Sequence, residues 1–198
     1  MSEMWRVFVA LELPAPALRA IGKVQDDFNA KAPRRALRPT NSEGIHLTLK
    51  FLGDAPAEQI DAIRAALAEA ARATGPFELA VEGMGCFPNT RAPRVVWLGV
   101  GGDLRALKHL RGDVERQISP LGYPTEQRPF NPHLTLARVQ GHAAREEVTR
   151  IGELVARLDV GEIARWRAQS VSLMRSQLQR GGAIYTRIGE AALEPASP

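Results

Sequence analysis

The sequence predicts an α+β protein, and three observations carry that expectation. Short alternating apolar runs trade places along the chain with longer segments of helical period. No Ser- or Gly-rich linker divides them, so residues 1–198 are expected to form one unit. At 198 residues and 44% hydrophobic, the chain can bury one substantial core, as one domain or as two small lobes sharing an interface.

WRVFVAL, residues 5–11, reads as a buried strand, and Pro14 to about Ala30 as a helix opened by prolines. GIHLTLKFLG, residues 44–53, alternates as a strand does. A surface helix is expected from Asp54 to about Ala73, with Ile60, Ile63, Leu67 and Ala70 on one stripe, Asp54 as its cap and Pro56 in its first turn. Residues 76–82 and 94–100 read as strands separated by the turn-rich GMGCFPNTRAP. Leu104, Leu107, Val114, Ile118 and Leu121 mark another amphipathic helix, and a strand follows at 133–139. After a third amphipathic stretch near 144–157, VSLM and AIYTRI are joined across SQLQRGG as a hairpin.

Composition narrows the classes open to the chain. Its one cysteine, Cys86, leaves no internal disulfide and fits a reducing compartment; no cysteine spacing suits a metal. The opening MSEMWRVFVALELP has no basic region followed by a long apolar stretch, and no apolar run approaches membrane-spanning length. A cytoplasmic protein, away from the membrane, is expected. The net charge of +4 comes from 26 basic residues, of which only four are lysine. That balance suits a polyanion such as RNA, and it equally suits a GC-rich genome, in which arginine and alanine rise together.

His-Leu-Thr-Leu occurs twice, at 46–49 and 133–136, in a chain with four histidines. With eight threonines in 198 residues, a given histidine has about a 4% chance of a threonine two places on, so two such pairs by accident is roughly a 1% event. Each copy lies near the start of a strand that leads into a turn and a helical stretch, which reads as an internal duplication. Successive strand side chains point to opposite faces. His46 and Thr48 therefore share one face above Leu47 and Leu49, and His133 with Thr135 repeats the arrangement above Leu134 and Leu136. His109 and His142 lack such neighbours and read as ordinary helix and loop residues.

A histidine pair can serve as general base and general acid near neutral pH, and threonine hydroxyls can donate to an oxyanion without carrying charge. No nucleophile elbow is present, and Cys86 is expected in a turn. A metal site fits less well, because neither copy brings a carboxylate or third histidine at ligand spacing. The economical chemistry is water-driven displacement at phosphorus, with the threonines on the non-bridging oxygens.

HLTLKFLG and RPFNPHLTLARV resemble the paired H-x-T-x motifs of the two-histidine (2H) phosphoesterase superfamily. The closer likeness is to its bacterial and archaeal RNA 2′,3′-cyclic phosphodiesterase branch, also called 2′-5′ RNA ligase. RVFVALELP, GCFPNTRAPRVVWLGV and SVSLMRSQLQRGGAIYTRI resemble the same branch, so the likeness spans nearly the whole chain in order. It implies a bilobal LigT-like fold: one domain over 1–198, made of two intertwined pseudo-symmetric lobes whose antiparallel sheets, backed by helices, face each other across a central cleft. It implies metal-independent opening of a terminal 2′,3′-cyclic phosphate to a 2′-phosphomonoester, without a cofactor, and in some members a reversible 2′-5′ ligation. His46 is then the proton donor to the leaving 3′ oxygen and His133 the proton acceptor, roles that near-symmetry lets the two exchange.

The resemblance also points to three substrate contacts. Arg138 would pair with phosphate or stack on a base, Phe51 would stack on a nucleobase, and Arg128 would order the second motif or touch phosphate. Strict alternation turns Phe51 and Arg138 away from the histidine face, so these roles require each strand to end or bulge first; otherwise they are core or surface residues. The expected partner is RNA with a cyclic-phosphate end or a related nucleotide, met by a monomer. Rival readings are an RNA-end binding module without turnover, and a 2H phosphodiesterase for a small cyclic nucleotide or 2′-5′ oligoadenylate.

Overall fold

The computed structural model describes residues 2–179 and 182–194. β1 (Met4–Glu12) leads through a Pro14 turn into α1 (Ala15–Lys31), whose Ala17, Ile21 and Phe28 are buried. β2 (Leu37–Pro39) and a short 3-10 turn precede β3 (His46–Pro56). α2 (Ile60–Ala71), β4 (Phe77–Phe87), β5 (Val95–Gly102), α3 (Leu104–Ile118), β6 (His133–Val139) and α4 (Arg145–Arg157) follow. β7 (Ala164–Ala168), β8 (Ser170–Gln179) and β9 (Gly182–Ala192) complete the order.

The strands form two antiparallel sheets, one in the order β3-β1-β8-β9 and the other β2-β6-β5-β4-β7. Helices back both, in the α+β arrangement expected from the sequence. The stripe of Ile60, Ile63, Leu67 and Ala70 on α2 is buried in the main core with Leu107, Leu110, Val114 and Ile118 of α3. A smaller cluster gathers Phe28, Val96, Ile151 and Val155. Asp103 caps α3 by accepting from the Ala106 N–H at 2.9 Å.

Two boundaries differ from the sequence reading. The helix expected from Asp54 begins at Ile60, because Asp54, Ala55 and Pro56 continue β3 in register with Arg6, Trp5 and Met4. Cross-strand pairing here overrides the local helix signals. GMGCF is likewise strand rather than turn: β4 runs on to Phe87 after a register shift between Glu82 and Met84, with Gly83 at φ +70°. Cys86 is therefore a buried strand residue, and burial pushes its thiol up from 9.0. β2 and β7 were not foreseen; each is short, and β7 alternates exposed Arg165 and Arg167 with buried Trp166 and Ala168. The expected hairpin pairs Gln179 with Gly182, while its turn at 180–181 lies outside the described residues.

One charged contact fastens the first sheet to the segment before β6. Lys50, at the centre of β3, is 4% exposed. Its ammonium donates to Glu115 Oε2 of α3 at 2.5 Å and to the Pro124 carbonyl at 2.7 Å. Removing one member of a buried pair strands the other. Lys50→Met is therefore expected to cost about 3 kcal/mol in urea unfolding, and Lys50→Met/Glu115→Met to regain most of that loss.

Candidate functional site

β3 and β6 meet where the two sheets approach each other, and their motifs lie at that junction. Along β3, Leu47 and Leu49 are buried while His46 and Thr48 remain half-buried; along β6, Leu134 and Leu136 are buried beneath His133 and Thr135. The alternation read from the sequence is thus present in both copies.

Each strand then breaks its alternation at the same place. Leu49 and Lys50 are both buried, and the register with β1 shifts between Val9↔Lys50 and Ala10↔Thr48. Leu136 and Ala137 are both buried, and the register with β5 shifts between Val96↔Ala137 and Trp97↔Thr135. A bulge of one residue returns the next side chain to the original face. Phe51, 73% exposed, thereby joins His46, and Arg138 joins His133. The condition that alternation had set for these two residues is met.

A bulge also frees a carbonyl, and each is taken up from a neighbouring helix. Gln25 of α1 donates Nε2 to the Leu136 carbonyl at 2.7 Å, and the Thr40 N–H donates to the same oxygen at 2.8 Å. Arg111 of α3 donates Nε to the Leu49 carbonyl at 3.4 Å, and its guanidinium stacks over Phe130 ahead of the second motif.

Both imidazoles are oriented identically. His46 Nδ1 lies 2.7 Å from the Gly44 carbonyl and His133 Nδ1 2.8 Å from the Asn131 carbonyl. A carbonyl only accepts, so each Nδ1 carries the proton and each Nε2 is left for chemistry. The His46 ring stacks on Phe8 (centroids 4.6 Å, planes 27° apart) and meets Tyr185 edge-on at 4.9 Å. Phe87 meets the His133 ring edge-on at 4.9 Å, with Trp97 at 6.3 Å.

The charges around the two rings differ. Burial pushes His46 below its ordinary 6.5, the Gly44 carbonyl and the Glu12 carboxylate pull it back, and the charge of His133 adds a small lowering. Burial lowers His133 too; the Asn131 carbonyl opposes that, and the Arg138 guanidinium reinforces it. Glu12 is held by the Ser172 hydroxyl at 2.6 Å and by Arg187 at 3.4 Å, and borders a cavity of about 160 Å³ beside His46.

Glu12, Tyr185, Arg187 and the ring partners Phe8, Phe87 and Trp97 were not singled out from the sequence. Phe8 and Glu12 sit an even number of residues apart on β1, a periodicity that would have placed them on one face. Tyr185 and Arg187 carry no such local signal toward a histidine about 140 positions away. Arg128 lies on the exposed approach to β6, gripped by Glu126 through Nε at 3.0 Å and Nη2 at 2.6 Å, which holds that carboxyl down at about 2. His109 contacts Thr74 at 3.1 Å on α3, and His142 is exposed in a turn. Among the described residues, no group of three or more His, Cys, Asp and Glu is gathered as metal ligands would be, and no helix is long and apolar enough to cross a membrane.

Residues 13–180 match the family model described as the 2′-5′ RNA ligase superfamily. An RNA 2′,3′-cyclic phosphodiesterase of Methanothermobacter thermautotrophicus is 34% identical over 91% of this chain and 95% of its own length. E. coli LigT in its apo form superposes with a TM-score of 0.76 at 29% identity, covering 98% of this chain and 99% of that one. The same protein complexed with 3′-AMP superposes at 0.75 and 29%, covering 96% and 99%.

Both lowered imidazoles should titrate below 6.5 when their C2–H resonances are followed by NMR. In the unfolded chain the rings take protons first, near 6.5, so the stability they contribute is complete at neutral pH and is lost as pH falls through the lower folded values. His46→Ala/His133→Ala should flatten that part of the stability–pH curve.

Proposed function

The chain belongs to the 2′-5′ RNA ligase superfamily, and on that premise we propose how its cleft works. It is an RNA 2′,3′-cyclic phosphodiesterase, a metal-independent hydrolase that opens the terminal cyclic phosphate to a 2′-phosphomonoester. The observation that carries the mechanism is the pair of imidazoles at the junction of the sheets, each tied at Nδ1 to a carbonyl two residues earlier.

His133 Nε2 takes a proton from water as the water oxygen bonds to phosphorus. The bond from phosphorus to the 3′ oxygen breaks, and His46 Nε2–H gives its proton to that oxygen. Thr48 and Thr135 donate to the non-bridging oxygens, where charge accumulates. Neighbouring charge supports this division of roles. The Glu12 carboxylate favours a protonated His46, and the Arg138 guanidinium disfavours one at His133. Run in the same direction with a ribose 5′ hydroxyl in place of water, the same two transfers form a 2′-5′ linkage, and run backwards they cleave it.

Phe51 offers an exposed ring to the terminal base, Arg138 takes a phosphate oxygen, and Arg128 orders the segment before the second motif. The chain works as a cytoplasmic monomer, one domain over 1–198 of two intertwined pseudo-symmetric lobes. A second reading, a small-nucleotide phosphodiesterase on the same machinery, is favoured by the 3′-AMP complex of E. coli LigT.

His46→Ala and His133→Ala are each expected to abolish opening of a cyclic-phosphate-ended oligonucleotide in EDTA, and Thr48→Ala or Thr135→Ala to lower kcat about a hundredfold. End-group analysis identifies the product: a 3′-phosphate would reverse the leaving group, and full activity in either histidine variant would remove the mechanism. For the wild type, kcat/KM should trace a bell in pH.

A further inference from the structure

We propose that Arg38, opposite Arg138, forms a subsite for the phosphodiester preceding the cyclic end, so that the cleft holds an RNA chain rather than a lone nucleotide. This rests on the reading above and extends it outward by one nucleotide. β2 and β6 run antiparallel with Arg38 directly opposite Arg138. Residues in that relation share a face. Because the bulge at Leu136–Ala137 has turned Arg138 onto the face of His133 and Thr135, Arg38 stands there too, one strand and about 5 Å further out.

Two guanidiniums facing each other across a strand pair repel. Some surface arginines of this chain meet carboxylates, as Arg128 does Glu126, Arg165 does Glu162 and Arg175 does Glu3. Among the described residues, neither Arg38 nor Arg138 has a carboxylate within ion-pair distance, and both are exposed. Successive phosphates of one strand, one at each guanidinium, would offset that repulsion with charge-assisted hydrogen bonds.

The place of Arg38 is built from both sheets. A Cβ on Gly182, the first residue of β9, would lie 3.3 Å from Arg38 Nη2, so the guanidinium rests between the edge strand of one sheet and the hairpin of the other. A free guanidinium in that place offers the backbone of a single strand the charge it needs. Arg138 lies close enough to His133 to act on its charge, which puts it at the reacting phosphate and leaves the next one to Arg38.

The test compares kcat/KM for an RNA oligonucleotide ending in a 2′,3′-cyclic phosphate with that for a 2′,3′-cyclic mononucleotide, in wild type and Arg38→Gln, at rising salt. The wild type should prefer the oligonucleotide. In the variant that preference should fall about tenfold, and the salt dependence of log kcat/KM on the oligonucleotide should become shallower by about one unit of slope. Arg38→Lys should restore part of the preference. An unchanged preference in Arg38→Gln, or a wild type that treats both substrates alike, would overturn the subsite alone. A wild type that opens neither would overturn the proposed function and the subsite with it.

Discussion

A one-residue slip in each motif strand is the constraint on which the cleft depends. Leu49 and Lys50 both turn inward, as do Leu136 and Ala137. Without the slip, Phe51 and Arg138 would lie under the sheets and each histidine face would stop at its threonine. The slip costs a ladder hydrogen bond, and the helices supply the compensation: Gln25 from α1 for the Leu136 carbonyl, Arg111 from α3 for that of Leu49. Lys50, turned inward by the same slip, becomes the buried cation that reaches Glu115 and the Pro124 carbonyl.

On this repeated frame the two halves carry opposite electrostatics. The imidazoles share one tether and one free nitrogen, yet His46 lies near a carboxylate on β1 and His133 near a guanidinium on its own strand. A repeated motif thus sets a carboxylate beside one ring and a guanidinium beside the other, the difference on which the proposed acid and base draw. The ring partners differ as well. Phe8 lies flat against His46, whereas Phe87 meets His133 only by its edge.

How much of this was legible depended on the range of the cause. Alternation within HLTL is local, so the faces of His46, Thr48, His133 and Thr135 followed from it, as did the buried stripe of α2. The bulges could be stated only as a condition for Phe51 and Arg138, because the groups that stabilise them sit 111 and 62 positions away in sequence. The helix read from Asp54 failed for a similar reason: capping signals were present, but pairing with Met4–Arg6 kept that segment extended. Glu12 borders His46 through the pairing of β1 with β3, and Tyr185 does so only once β9, from the other end of the order, is brought alongside.

That last arrangement bears on how the molecule comes into being. β1 is flanked by β3 and by β8, so the first sheet joins residues near 10 with residues near 172, whereas the second draws all its strands from residues 37–168. Closing the longer loop is entropically the more demanding event, and such non-local pairings form slowly. On the ribosome, where synthesis runs from the amino end, the sheet bearing His133 can assemble before β8 and β9 emerge. The surroundings of His46 are therefore finished last, when the strand carrying Tyr185 docks.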